Sequence, residues 1–529
     1  MRRETSPMAF KRLTSSSRGW NTFANFVLAL GILWITTSCE LNRAFAQSGL
    51  PANPVDSARG YLRLGQMYIE GRAVQHDMEK GLFYYRRAEQ AGSEEAKLAL
   101  SMLPYKFTET GLKRSDALAR LQALAAEGQV SALLFLADVQ LGSYGDKPDP
   151  AQALVSLGLA ADRGSVEAML RIGQYYRQGE IVPYDAGKAV AAFQRAEAAG
   201  SRAATEELAI FQAYGEGMVP DAAGAISRLE TAKAAGRASA LVTEGDLKLN
   251  TGVPMIDIDG AVAAWSKAAT QGRIDAMLRL GDFYYNGYFG RRQLKKAITY
   301  YKAAADAGDL FGELALAKAQ LAQTRTAKAG LEQLERLAKN GMDKAGVAIA
   351  DAHLRGTGIR KDVKAGLRRL HRMADTGSMA ARLRLVEIYR NGLTDGYGRL
   401  VRPDKAKAAS MLKPILPSLG LSPRLYQELL LSASRGKIRD ASHLARKLDE
   451  LPLSLRHRFF KDLRADVPDL YFDLLRFKLA HAGYMGVNKA GWKPTIRAMM
   501  SYCRKRGAEK VCASGPFAPQ TAEALAALL

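Results

Sequence analysis

The sequence predicts an all-α fold: a right-handed solenoid of antiparallel helix pairs closed by a small helical C-terminal module. Three observations predict it. Glycines recur at 92, 128, 164, 200, 236, 272 and 308, each 36 residues after the last, then at 341 and 377. Further columns keep the same register at three times that spacing: Leu62, Leu170 and Leu278; Gly65, Gly173 and Gly281; Tyr68, Tyr176 and Tyr284; Tyr85, Phe193 and Tyr301; Ala88, Ala196 and Ala304. Within each period, apolar or small residues fall at i, i+3, i+4 and i+7 or i+8, twice over, which is the spacing of two amphipathic helices. Neither helix can bury its apolar face alone, so each pair has to stack on its neighbours.

The N-terminus reads as an address. Arg2, Arg3, Lys11, Arg12 and Arg18 precede a short apolar run, Phe26–Ile35, which is too short to span a bilayer and has the charge asymmetry of a secretory leader. Two processing sites compete within residues 1–46. Thr36-Thr37-Ser38-Cys39 has the form of a lipobox with Thr where Leu is usual, making Cys39 a lipidation candidate; Ala44-Phe45-Ala46 is a leader-peptidase site. The lipoprotein reading is slightly preferred. Either way the expected location is the periplasm, with anchoring to the outer membrane if Cys39 carries lipid.

Residues 58–415 hold about ten of the 36-residue units. The nine period-closing glycines (Gly92, Gly128, Gly164, Gly200, Gly236, Gly272, Gly308, Gly341 and Gly377) suit the position just past a helix end, where the backbone turns left-handed. Asp185 stands where an N-cap would open the second helix of its unit. Columns of Gly and Ala let helices approach closely, while Tyr and Leu fill the space between them. After Gly392 the connection to Asp404 is several residues longer than its equivalents, an insertion that marks either a binding face or a tolerated loop. Residues 416–482 stay helical in pattern but leave the register, as degenerate repeats capping the array. Residues 483–529 read as a small module stapled by a Cys503–Cys512 disulfide, the pairing expected of two cysteines left in an exported chain.

The repeats, for instance Ala276–Gly287 followed by Lys296–Gly308, resemble Sel1-like repeats, the tetratricopeptide relatives of about 36 residues. The resemblance covers about two thirds of the chain and is sharpest in units 1, 4, 6, 7 and 9. It is weakest in 93–128 and 309–341, where the first-helix glycine is missing. It implies an α-solenoid that binds other proteins. Gly515-Pro-Phe-Ala-Pro-Gln-Thr521-Ala-Glu-Ala-Leu525 is similar to a short signature of peptidoglycan-binding modules, with a plain helical cap as the alternative reading.

Composition narrows the function. Lys and Arg total 76 against 53 Asp and Glu, a formal charge of +23 that calls for acidic partners. Behind a leader, those are anionic lipid, cell wall or acidic polysaccharide rather than nucleic acid. Three cysteines exclude a four-thiolate metal site, and the six histidines never stand at i, i+4. Phosphate-loop, nucleophile-elbow and dinucleotide-binding motifs are absent. Asp473, His481 and Tyr484 are the only grouping with the makings of a site, and a structural role suits them better. The expectation is a non-catalytic scaffold without metal or cofactor. An exported array of such repeats resembles the AlgK-type lipoproteins, which implies partners in an exopolysaccharide (alginate-type) complex: a polysaccharide synthase, an export porin, and an anionic polysaccharide nearby. A periplasmic regulator of a sensor kinase, and a cell-wall binder acting through the C-terminal module, are the alternatives.

Overall fold

A computed structural model describes residues 58–249, 257–287, 292–395, 398–486, 491–505, 508–518, 521–522 and 525. The leader and Cys39 lie outside the described residues. The chain divides into two compact units, Met1–Leu136 and Ala137–Leu529. In the first, α1 (Ala58–Glu70), α2 (Met78–Gln90), α3 (Glu94–Lys106), α4 (Arg114–Ala126) and the start of α5 (Val130–Gln140) form successive pairs. In the second, the pairs continue through α6 (Pro150–Asp162), α7 (Val166–Gln178), α8 (Ala186–Ala198), α9 (Arg202–Tyr214), α10 (Ala222–Ala234), α11 (Ser239–Leu249) and α12 (Ile258–Thr270). They run on through α13 (Ile274–Asn286), α14 (Leu294–Asp306), α15 (Leu310–Leu321), α16 (Ala327–Lys339), α17 (Asp343–Arg355), α18 (Val363–Asp375), α19 (Met379–Asn391) and α20 (Lys405–Leu412). The fold is an all-α solenoid.

Local chemistry sets the helix boundaries. Ser93, Ser165, Ser201 and Ser378 cap first helices, and Asp77, Asp149, Asp185, Asp221, Asp257, Asp362 and Asp404 cap second helices. Each side-chain oxygen accepts from the backbone N–H three residues on, satisfying a donor the helix itself cannot. At the other end, the nine period-closing glycines have φ between 79° and 100°. A Cβ added at Gly164 or Gly200 would meet nothing within 4 Å, so backbone angle rather than crowding demands glycine there.

The first-helix glycines serve a different purpose. A Cβ at Gly65 would fall 2.7 Å from the Tyr85 ring, at Gly173 2.6 Å from Phe193, at Gly245 2.4 Å from Trp265, and at Gly281 2.3 Å from Tyr301. Where the first helix carries Ala or Ser at this position, the second helix carries Leu: Ser101 and Leu121, Ala137 and Leu157, Ala209 and Leu229, Ala317 and Leu334, Ala350 and Leu370, all buried. The volume is shared between two columns, one growing as the other shrinks. The pair in unit 8 is three residues closer in sequence because the link between α15 and α16 is shortened, which explains the 33-residue step to Gly341.

The long connection after Gly392 is a two-stranded antiparallel hairpin, β1 (Leu393–Asp395) and β2 (Gly398–Val401), rather than an irregular loop. Lys361 ties it to the preceding unit through Asp395 at 2.6 Å. Beyond the repeats come α21 (Leu421–Ser434), α22 (Ala441–Leu448), α23 (Leu453–Asp466), α24 (Pro468–His481), α25 (Trp492–Lys505) and α26 (Glu509–Cys512). One buried cluster runs from Tyr426 through Leu451, Phe460, Tyr471 and Met499 to Leu525, so the core is continuous across the boundary expected at residue 483. The Cys503–Cys512 disulfide, fully buried, belongs to that core. The Tyr471 hydroxyl donates to the Pro516 carbonyl at 2.8 Å and Arg464 to that of Phe517 at 2.6 Å, fastening the Gly515–Phe517 turn. Thr521 is buried and donates to the Val511 carbonyl, and Ala522 and Leu525 of the peptidoglycan-like signature share the buried cluster with the disulfide.

Two long-range contacts tie this C-terminal part to the repeats of the same unit. Arg390 of α19 meets Asp466 of α23 at 2.7 Å, with side chains 3% and 1% exposed. The chain also returns to units 4 and 5: the N–H of Leu421 donates to the Glu180 carbonyl at 3.0 Å, that of Ser422 to the Gly179 carbonyl at 2.7 Å, and Arg456 reaches Glu216 at 3.0 Å. Beside Arg456, His457 stands edge-on to the Tyr214 ring. Burial first, then the neighbouring Lys461 and Arg456 charges, push the His457 imidazole down to about 4. A depressed imidazole pKa makes the fold favour neutral histidine, so stability is complete above the unfolded value near 6.5 and drains away as pH falls towards 4. Between pH 7 and pH 4.5 this one group is expected to remove about 2–3 kcal/mol. Urea titrations of wild type and His457→Gln check it, the variant losing less over that interval by about that amount.

Candidate interaction surface

Within the second unit the first helices of neighbouring pairs approach one another, α9 to α11 and α17 to α19, while second helices make no comparable approach. First helices therefore line the inner side of the stack. Ion pairs rivet the units on both sides. On the inner side Asp138 meets Arg171 at 2.8 Å, Asp246 meets Arg279 at 2.9 Å and Asp351 meets Arg384 at 2.8 Å, each 33 residues apart. On the outer side Asp162 meets Arg195 at 2.8 Å and Glu335 meets Arg369 at 3.1 Å. The rungs neutralise carboxylates that would otherwise face the interior, and they set which cations stay uncommitted.

One groove of about 350 Å³ is framed by α13, α15, α17 and the start of α19. Its floor is apolar: Leu314, Leu321, Val347, Ala348 and Ala352, with Tyr285 at one side. Its rim carries Lys318, Lys344 and Arg355, all exposed. Lys344 extends over the Phe311 ring with Nζ 4.8 Å from the centroid. Lys318 and Arg355 make no ion pair among the described residues. The one carboxylate in the lining, Asp351, is taken by Arg384. The result is an apolar trough with a basic edge, suited to a segment that offers both aliphatic side chains and carboxylates. The three cations lie on two different helices at no fixed sequence interval, so the periodicity gave no hint of them. The rungs do have a sequence signal, an acid and an arginine 33 or 34 residues apart.

The residues singled out from sequence are dispersed. Asp473 pairs with Arg476 at 3.2 Å, His481 lies on the Phe477 ring and bonds its carbonyl through Nδ1 at 2.9 Å, and Tyr484 packs edge-on against Tyr502. No contact joins the three. The period-closing glycines are turn residues with left-handed backbone. Among the described residues no group of three or more His, Cys, Asp or Glu could hold a metal ion, and no helix is long and apolar enough to cross a membrane.

Helix pairs stacked in register define an α-solenoid, a class built for binding along an extended surface. Five segments, 58–93, 130–165, 166–201, 274–309 and 345–375, match the model of the Sel1 repeat family. Unit 3 is matched, and unit 6, expected among the sharpest, is not. No curated protein matches the chain. Among solved structures, a protective antigen of uropathogenic Escherichia coli displaying an SLR fold aligns at 20% identity over 83% of this chain and 97% of its own, with a TM-score of 0.36. A Sel1 repeat protein from Oxalobacter formigenes aligns at 22% identity over 63% of this chain and 86% of its own (TM-score 0.38). A Sel1 repeat protein from Klebsiella pneumoniae aligns at 21% over 38% and 98% (TM-score 0.28).

Proposed function

We propose that the chain is a non-catalytic scaffold of the cell envelope that recruits partner proteins through the basic groove of α15 and α17. The observation that carries this reading is the contrast between the two sets of charges on the inner side. Asp351 and Arg384 are committed to each other, whereas Lys318 and Arg355 point their charge at solvent beside an apolar floor. Such a site favours an acidic, partly aliphatic protein segment, and electrostatic attraction speeds its encounter. The leader-like N-terminus supports export to the periplasm, and Cys39 supports attachment to a membrane by lipid. Repeat class, size and basic charge together favour a place in an exopolysaccharide export assembly of the alginate kind, between a synthase and an export porin.

Affinity capture from detergent-solubilised envelopes tests the core of this reading. The wild-type chain is expected to retain a partner set that the variant Lys318→Glu/Lys344→Glu/Arg355→Glu loses, with affinity for the main partner falling about 100-fold or more. Equal capture by both would remove the groove from the reading. Capture of no synthase or porin component would remove the export assembly. Cys39→Ser is expected to release the protein from the membrane fraction, and unchanged fractionation would remove the anchor.

A further inference from the structure

We infer that the return of the chain onto units 4 and 5 is a latch that holds the curvature of the repeats between them. The arc bounded by Gly217 and Leu419 contains the basic groove, and its two ends are joined by contacts between residues some 240 positions apart in sequence. Four features mark the junction as built. First, two consecutive backbone N–H groups at the start of α21, those of Leu421 and Ser422, donate to two consecutive carbonyls, Glu180 and Gly179. Second, Gly179 is glycine for two reasons at once: its φ is +63°, and a Cβ there would lie 2.1 Å from Ser422 Oγ. Third, Gly420 passes so close to Glu180 that its own Cβ would come within 3.1 Å of the Glu180 Cα. Fourth, Glu216 joins both sides, accepting from the Tyr184 hydroxyl at 2.7 Å within the repeats and pairing with Arg456 from α23.

The junction is also built to part. Its direct contacts are mostly polar, and beside them lies a polar cavity of about 450 Å³ between the loops that follow α7 and α9 and the α22–α23 segment. A seam of hydrogen bonds beside a polar cavity exchanges its partners for water when it opens, whereas an apolar seam would expose surface that water rejects. The helices on each side keep their own cores: Ala209, Leu229 and Leu247 on one, Phe459, Tyr471 and Leu475 on the other. Opening the latch leaves both intact and lets the arc relax, which changes the spacing of α15 and α17 and the width of the groove.

Hydrogen exchange on the wild-type full chain is the direct test. The amides of Leu421 and Ser422 begin a helix and have no partner within it. Closed, they are expected to exchange about 100-fold or more slowly than unprotected amides. Exchange at the unprotected rate would overturn the latch outright. Two variants extend the test, Glu216→Lys, which sets a cation against Arg456, and Ser422→Trp, which wedges the close approach to Gly179. Each is expected to speed exchange at both amides by about tenfold or more. Each is also expected to raise the radius of gyration by X-ray scattering, with helical circular dichroism unchanged. Unaltered scattering alongside faster exchange would show that the contact does not hold the arc, and the inference would fall. Neither readout depends on a groove partner.

Discussion

Arg390→Leu is expected to cost about 3–5 kcal/mol of stability. The pair it breaks lies where α19 meets α23, and both side chains are almost wholly excluded from water. One carboxylate oxygen of Asp466 faces Arg390 Nε at 2.7 Å; the other is buried without a hydrogen-bond partner among the described residues. Burial already raises the Asp466 carboxyl to about 6, with Arg390 the cation that restrains it. Without the guanidinium, a buried charge is left uncompensated, and the acid must either stay ionised at high cost or take up a proton. The pH signature follows from the sign of the shift. A carboxyl whose folded pKa is raised contributes stability at low pH that is lost as pH rises through the folded value. Arg390→Leu is therefore expected to be least impaired near pH 4–5 and most impaired at pH 8, by urea denaturation. The double variant Arg390→Leu/Asp466→Leu is expected to regain most of the loss, because a buried pair replaced on both sides removes the desolvation cost with it. A double variant as unstable as the single one would show that the guanidinium matters through packing instead.

Phe193→Ala is expected to cost about 3–5 kcal/mol, the range for emptying a fully buried phenyl site. Phe193 of α8 has no exposed surface and fills the space above Gly173 of α7, with Phe211 of the next unit 6.0 Å away between ring centroids. The milder exchanges are more instructive. Gly173→Ala alone drives a methyl to within 2.6 Å of the ring. Its expected cost is about 1–3 kcal/mol, reduced by the better helix propensity of alanine. Phe193→Leu alone leaves a void and costs about 1–2 kcal/mol. Together they install the Ala and Leu combination that unit 5 already uses at Ala209 and Leu229. The double variant is expected to recover about 1–2 kcal/mol relative to the sum of the singles. Strict additivity in the double-mutant cycle would mean the two columns do not share one volume.

The two cases sit at opposite ends of legibility. The Gly173 and Phe193 columns stand in the sequence at constant spacing, because each unit solves the same local packing problem against a neighbour 36 residues away. The exchange of Gly with aromatic for Ala with Leu is written there too, once the two columns are read together. Arg390 and Asp466 occur once, in a part of the chain that has left the register, and nothing in their 76-residue separation connects them. Asp473, His481 and Tyr484 failed as a grouping because closeness in sequence on one helix and the turn after it does not bring polar tips together. Each found a partner of its own. The hairpin after Gly392 was visible only as extra length; its pairing of Leu393 with Val401 is a tertiary outcome.

By itself the sequence determined the repeating unit: its 36-residue period, the two helices in each, the Asp185 cap, the left-handed glycines and the columns between paired helices. These depend on interactions within one unit or between adjacent units, and such interactions recur at a fixed interval that a linear chain displays directly. Only the tertiary structure decided the basic groove, the buried Arg390–Asp466 pair, the continuous core from Tyr426 to Leu525 and the contact of Ser422 with Gly179. Those depend on how small rotations from unit to unit accumulate. A sum over many stacked pairs brings residues hundreds of positions apart into contact, and no single repeat carries that sum in its own side chains.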